Sequence, residues 1–211
     1  KPLFGQNGSG LHLYQALFVE GKDAFFDAEA KYRLSSVGLH YIGGLLAHAR
    51  GMVVITNPLV NSYKRLVPDF EAPTHVAWSE INRSPLVRLS NRRGEATLCE
   101  FRLPDPSCNP YLCLAAILHS GMEGIRRMID PGPPVNKDIL GMSQRERSRL
   151  RVQNLPGDLS EAIRAFEKDR FLQAALGPHI SHHIIEAKRT EWEEYIHQVH
   201  PWELDRYLAY Y

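Results

Sequence analysis

The chain has 211 residues and a formal net charge of +1, enough for one substantial domain or two small ones with an apolar core. Near-neutral charge with both signs interspersed argues against a general nucleic-acid or polyanion binder, and no stretch approaches the roughly 18 apolar residues of a membrane span. Cys99, Cys108 and Cys113 form no paired spacing, so a reduced, intracellular protein is the simplest reading.

The first zone, Lys1 to about Asp27, is Gly-rich and then alternates. Leu11, Leu13, Gln15 and Leu17 set against His12, Tyr14, Ala16 and Phe18 predict a strand. The abrupt Gly-rich start without methionine reads as the beginning of a piece of a longer chain. From Leu34 to about Thr56 the apolar spacing predicts a helix, with Ser35 or Ser36 as N-cap. It ends at "TNP", because the residue before Pro58 is pushed out of helical geometry. "LVNSYKRLVPDFEAPTH" follows, a long irregular stretch of a kind that is functional when it is not disordered. Residues 74 to 103 read as two or three strands with "NRRGE" as a turn. Asn109 or Ser107 then caps a helix with Pro110 at its first position. "DPGPPVNKD" is a linker, and from Leu155 onward the chain reads as helical. Strands early, helices afterward and no βαβ alternation predict the α+β class.

Several residue types carry chemistry. The glycines of "GQNGSG" could cradle an anion through their amides, although neither a Walker loop nor a dinucleotide fingerprint is present. His12 sits on a strand among apolar neighbours. Glu100, inside "TLCEFRL", requires an arginine or a cation if it is buried. His182 and Glu186 stand one helical turn apart and could share a metal, but on a heavily charged helix a solvated face is the better reading, as it is for His197 and His200. Arg65, Arg83, Arg88 and Arg102 lie beside apolar residues and prolines, and guanidinium is suited to bidentate contact with carboxylate or phosphate. Grouped with one histidine and one glutamate, they outline a site for an anionic substrate, a polyphosphate and a divalent cation. On composition alone, four unrelated surface ion pairs explain them equally well.

These stretches resemble the glutamine synthetase family. "KPLFGQNGSGLH" is similar to its Lys-Pro-(aromatic)-Gly-x-Asn-Gly-Ser-Gly-x-His segment. "TNPLVNSYKRLVPDFEAP" is similar to its Asn-Pro…Asn-Ser-Tyr-Lys-Arg-Leu-Val-Pro-Gly-Tyr-Glu-Ala-Pro loop, and "NRSPLVR" and "EFRLPDPSCNPYL" to its nucleotide and metal segments. The ending "EWEEYIHQVHPWELDRYL" is similar to bacterial type I enzymes of the Gram-positive branch.

The resemblance implies an antiparallel sheet forming part of the family's catalytic barrel, followed by a helical C-terminal region. Residues 1–110 would be mainly strands plus one long helix and the active-site loops, and residues 111–211 mainly helical. The family's N-terminal β-grasp domain and the first part of its catalytic domain would precede residue 1. The implied activity is ATP-dependent amidation of L-glutamate by ammonium, with Mg2+ or Mn2+. Asn7, Gly8, Arg65, Glu71 and Arg102 would contact glutamate. His12 and Glu100 would be metal ligands. Arg83 and Arg88 would hold the ATP phosphates, with Tyr14 and Ala16 beside the nucleotide. Glu71, Arg83 and Arg102 would be catalytic, Glu71 lying on a mobile flap as the base toward ammonium. The family also implies a cytoplasmic homododecamer of two stacked six-membered rings, acting without nucleic acid or membrane.

The chain departs from the family at Asp69 and Phe70, where glycine and tyrosine are usual, at Tyr14 and Ala16, at Glu95, and at Leu140, which replaces the tyrosine that enterobacterial-type relatives adenylylate. The changes at 69 and 70 leave open a γ-glutamyl ligase for a polyamine or another amine. A catalytically silent structural relative is the third reading.

Overall fold

The computed structural model describes residues 1–68, 71–82, 84–90, 92–94 and 96–210. Its elements follow the expected α+β order. β1 (Leu13–Gln15), β2 (Phe18–Val19) and β3 (Lys22–Asp23) precede α1 (Ser36–Thr56). Then come β4 (His75–Val76), β5 (Trp78–Ser79), β6 (Val87–Leu89), β7 (Cys99–Phe101) and α2 (Pro110–Arg127). The remainder is α3 (Gln144–Arg149), β8 (Gln153–Asn154), α4 (Leu159–Lys168), α5 (Arg170–Leu176), α6 (Pro178–Ile196) and α7 (Pro201–Tyr207).

The long strand expected over 11–18 is two short ones, β1 and β2, because the chain turns out of the sheet at Ala16–Leu17 into a hairpin with β3. α3 and β8 were not expected. A Ser143–Glu146 capping box starts α3, and β8 pairs with β4, bringing the segment after the Pro-rich linker back beside the strand that follows Glu71.

The principal sheet has the order β1-β7-β6-β5. β7 is antiparallel to both neighbours, while β5 and β6 are parallel. Register sorts its two faces. Leu13, Phe101, Val87 and Trp78 form one cross-strand row, and the last three are buried in the core. The adjacent row is Tyr14, Glu100, Arg88 and Ser79. Because side chains alternate with a period of two, this polar row occupies the opposite face.

α1 and α2 cover the core face. α1 starts where the Ser35 hydroxyl accepts from the Gly38 N–H at 3.1 Å. α2 starts where Asn109 Oδ1 accepts from the N–H groups of Tyr111 and Leu112, with Pro110 at its first position. The helices cross at glycines. A Cβ on Gly44 would lie 2.0 Å from the Ser120 carbonyl oxygen, and one on Gly124 would lie 2.1 Å from the His40 carbonyl oxygen. Only backbone fits there. The α1 C-terminus is fastened to the strand exit beside the site, with Asn57 Nδ2 donating to the Leu103 carbonyl at 3.0 Å and the Asp105 N–H to the Thr56 carbonyl at 3.1 Å. All three cysteines are free and buried, and burial pushes the Cys99 thiol up to about 12.

Candidate active site

The polar face of the sheet gathers the chemistry. Glu100 is at the centre of β7, 1% exposed. Its Oε1 lies 2.8 Å from Arg102 Nη1 and 3.1 Å from His12 Nδ1. Its Oε2 lies 3.4 Å from Arg88 Nη1, near enough for attraction but without hydrogen-bond geometry, so this buried acceptor has no donor. The register explains the grouping. Glu100 and Arg102 are two residues apart on β7, Arg88 is Glu100's partner on β6, and Tyr14 is its partner on β1. His12 precedes Tyr14 by two residues and shares its face.

The electrostatics favour a neutral imidazole at His12, next to a carboxylate flanked by two guanidiniums. Two guanidiniums compensate Glu100, as a buried charge requires. Burial lowers the His12 pKa, Arg102 and Arg65 push the same way, and Glu100 opposes them. A neutral imidazole beside a carboxylate with an unused oxygen is the donor set a divalent cation takes. Among the described residues, no three His, Cys, Asp or Glu side chains converge on one point. Among the described residues, His12 and Glu100 are the donor pair at this point of the sheet.

Arg65 enters from the irregular stretch after α1 and is 4% exposed. Its Nη1 donates to the carbonyls of Leu103 at 2.9 Å and Pro104 at 3.4 Å, and its Nη2 to that of Arg102 at 3.2 Å. Sequence reasoning gave Arg65 a substrate; the structure also gives it the task of holding the strand exit on which Arg102 stands. A Cβ on Gly10 would lie 2.5 Å from Arg65 Nη2 and 3.1 Å from His12 Nε2, and one on Gly8 would lie 3.1 Å from Arg65 Cβ. The Gly-rich segment thus lies directly over Arg65, with His12 at its edge. Asn7 is exposed on the same segment, Tyr14 is exposed on the site face, and Ala16 is half-buried at the exit of β1.

Glu71 is exposed, with φ at +52°, a conformation that a non-glycine residue adopts at a cost. With Arg102 it lines a cavity of about 240 Å³ whose other walls include His75, Ser84, Ile139 and Leu140. Sequence reasoning missed His75 and Ile139. The histidine was legible only as a polar residue in a short apolar run, and Ile139 comes from a segment distant in sequence. His75 is buried between Thr74 Oγ1 at 2.8 Å and Arg147 Nη1 at 3.2 Å. Arg83 and the departures at Asp69, Phe70 and Glu95 lie outside the described residues. His182 and Glu186 are exposed on α6, away from the sheet.

Residues 1–207 match the family model described as "Glutamine synthetase, catalytic domain". The glutamine synthetase of Thermus thermophilus is 53% identical over all of this chain and 47% of its own length. That of Methanosarcina mazei is 51% identical over 99% of this chain and 47% of its own length. Among solved structures, "Apo GmaS without ligand" superposes with a TM-score of 0.85 at 33% identity, covering 99% of this chain and 47% of that one. The chain thus spans about half the length of the curated relatives it matches. No helix of the described residues is long and apolar enough to cross a membrane. Matched across nearly its whole length and carrying a histidine, a glutamate and arginines on one sheet face, the chain belongs to the glutamine synthetase catalytic-domain family.

Proposed function

We propose that the full-length protein is a glutamate–ammonia ligase, making L-glutamine from L-glutamate, ammonium and ATP through γ-glutamyl phosphate. The observation that carries this reading is the convergence of Arg88, Arg102 and His12 on the buried Glu100, in a family whose close relatives are named for that activity.

A carboxylate is a poor electrophile. In the first step a γ-carboxylate oxygen of glutamate attacks the γ-phosphorus of ATP, and the bond to ADP breaks. Phosphoryl transfer asks mainly for charge neutralisation and alignment. Arg88 serves the transferring phosphate, together with Arg83, and Arg102 the carboxylate being activated. Arg65 holds the Arg102 strand exit and, with Asn7 and Gly8 of the Gly-rich segment packed over it, would contact glutamate. Tyr14 and Ala16 flank the nucleotide. His12 and Glu100 would hold a Mg2+ or Mn2+ ion, the unused Glu100 Oε2 and the neutral imidazole being suited to it. When bound, such an ion supplies positive charge to phosphate oxygens.

In the second step nitrogen attacks the acyl carbon and phosphate leaves. Ammonium has no lone pair, so a base must first take a proton. Glu71, facing the same cavity as Arg102, is that base, and the flap that carries it excludes water from the acyl phosphate. The apolar walls supplied by Ile139 and Leu140 favour a second reading, in which a primary amine with a short alkyl group is the acceptor. Full-length protein in a cytoplasmic ring assembly, a dodecamer of two stacked hexamers, completes the proposal.

The test measures phosphate release from ATP by the full-length protein with glutamate and ammonium, then with methylamine or putrescine replacing ammonium. Release with ammonium is expected. Release with amines alone selects the second reading, and none with any acceptor overturns both.

A further inference from the structure

Helix α6 carries three imidazoles on the outer side of its first two turns. His179, His182 and His183 are all exposed. The rings of His179 and His183, one helical turn apart, lie 4.4 Å centroid to centroid with planes at 75°, and His182 lies 5.5 Å from His183. Among the described residues none of the three makes a hydrogen bond or an ion pair. They are not part of the sheet-face site, and the inference does not depend on the ligase reading.

Two histidines at i and i+4 share one helix face and present one nitrogen each to a common point, the spacing by which helices chelate zinc. Ligand bonds of about 2.0–2.1 Å bring two rings at this separation onto one ion with small side-chain rotations. We propose that His179 and His183 form a surface chelate for a borderline transition cation of the Zn2+, Ni2+ or Cu2+ class, with water completing the coordination. Imidazole pairs select these ions over Mg2+, Ca2+ and Mn2+, which prefer oxygen. The absence of a third converging ligand among the described residues makes the site bidentate.

Two features set its strength. His179 is the second residue of α6, where the positive end of the helix dipole weakens cation binding. Glu186, one turn beyond, places negative charge on the same side and is paired with Arg189 at 3.4 Å. A bound ion ties together the first two turns of a helix whose side-chain cap is missing and which starts after Gly177 at φ +85°. Further along the same helix, Glu191 Oε1 accepts from the Val60 N–H at 3.2 Å, so the clamped helix is one that supports the stretch leading to Arg65.

The experiment uses tag-free, metal-stripped full-length protein in excess Mg2+, titrated with Zn2+ alone by calorimetry. Wild type is expected to bind Zn2+, with His179→Ala and His183→Ala each weakening binding tenfold or more. His182→Ala is expected to weaken it less than threefold. Because the rings are exposed, circular dichroism and thermal melts of the metal-free variants should match wild type, while Zn2+ should raise the melting temperature of wild type and not of the double variant. The proposal is overturned if wild type takes up no Zn2+, if the His179→Ala/His183→Ala double variant keeps its affinity, or if His182→Ala loses as much as the other two.

Discussion

Arg102 Nη1 lies 2.8 Å from Glu100 Oε1 and 3.4 Å from His12 Nδ1, so one guanidinium nitrogen bridges the two residues expected to hold a cation. All of this happens on one face of a strand whose other face carries Phe101 at 0% exposure. The arrangement couples the fold to the chemistry, since the charges that prepare the site are also the ones that make Glu100 tolerable inside the protein.

Removing that carboxylate leaves Arg102 buried without a counter-charge. Deleting one partner of a buried pair costs about 3–5 kcal/mol, and Glu100→Ala is expected to fall in this range by urea denaturation of the full-length protein. Arg88 is the more exposed of the two arginines, with its side chain 21% exposed against 6% for Arg102. Because Glu100 keeps its hydrogen bond from Arg102, Arg88→Ala is expected to cost less than Glu100→Ala while lowering the rate of phosphoryl transfer at least tenfold. If both variants lose stability and activity in parallel, Arg88 belongs to the framework and not to the phosphate site.

Arg65→Lys separates shape from charge. Lysine keeps the cation but lacks the planar fork, so it cannot reach the carbonyls of Arg102, Leu103 and Pro104 together. A buried carbonyl left without its donor costs about 1–3 kcal/mol. The variant is expected to lose stability in that range. It should raise the KM for glutamate more than that for ATP, because the loosened strand exit carries Arg102.

The two faces of the central sheet were legible in the sequence because period-two alternation survives even in strands of three residues. "VRL" and "CEF" each place one charged residue between two apolar ones, and the structure pairs those charged residues directly. The helices were legible from Pro58, Pro110 and pairs of cap candidates, Ser35 or Ser36 and Asn109 or Ser107, of which the structure uses Ser35 and Asn109. The position of Arg65 against three carbonyls was not, since it depends on where a strand exit falls some 37 to 39 residues further on. Nor was the cavity beside Glu71, whose walls come from Pro68 and Ala72, from β4 and from the post-linker segment. Local pattern fixes which face a residue occupies; which distant backbone it meets is settled by tertiary packing.

The α1–α2 crossing is a case where glycine is required by space. A Cβ on Gly44 would approach the Ser120 carbonyl oxygen to 2.0 Å and the Gly124 nitrogen to 2.7 Å. Both are backbone atoms in a helix and cannot swing aside, so the helices must move apart across the core. Gly44→Ala is expected to destabilise by about 3 kcal/mol or more, at the upper end of overpacking costs. Gly141→Ala serves as a control, since a Cβ there meets nothing closer than 3.8 Å, and its melting temperature is expected to stay near that of wild type.

His75 ties α3 to β4, and its protonation state is dictated by its neighbours. Arg147 can only donate, so Nε2 at 3.2 Å must carry a lone pair, and Nδ1–H then donates to Thr74 Oγ1 at 2.8 Å. A second proton would place an N–H against the guanidinium. Burial lowers the His75 pKa, and Arg147 adds to the effect. In the unfolded chain the imidazole titrates near the ordinary value of about 6.5. Above that pH both states hold it neutral, and its contribution to stability is fully present. As pH falls below about 6.5 the unfolded state takes up the proton and the folded state does not, so stability is lost progressively down to the lower, folded-state pKa. His75→Gln retains an acceptor for Arg147 but cannot titrate, and at pH 8 it is expected to cost about 1 kcal/mol. The difference in unfolding free energy between wild type and variant, measured from pH 8 to pH 5, should therefore shrink below pH 6.5. A difference that stays constant across the range would show that His75 titrates alike in both states.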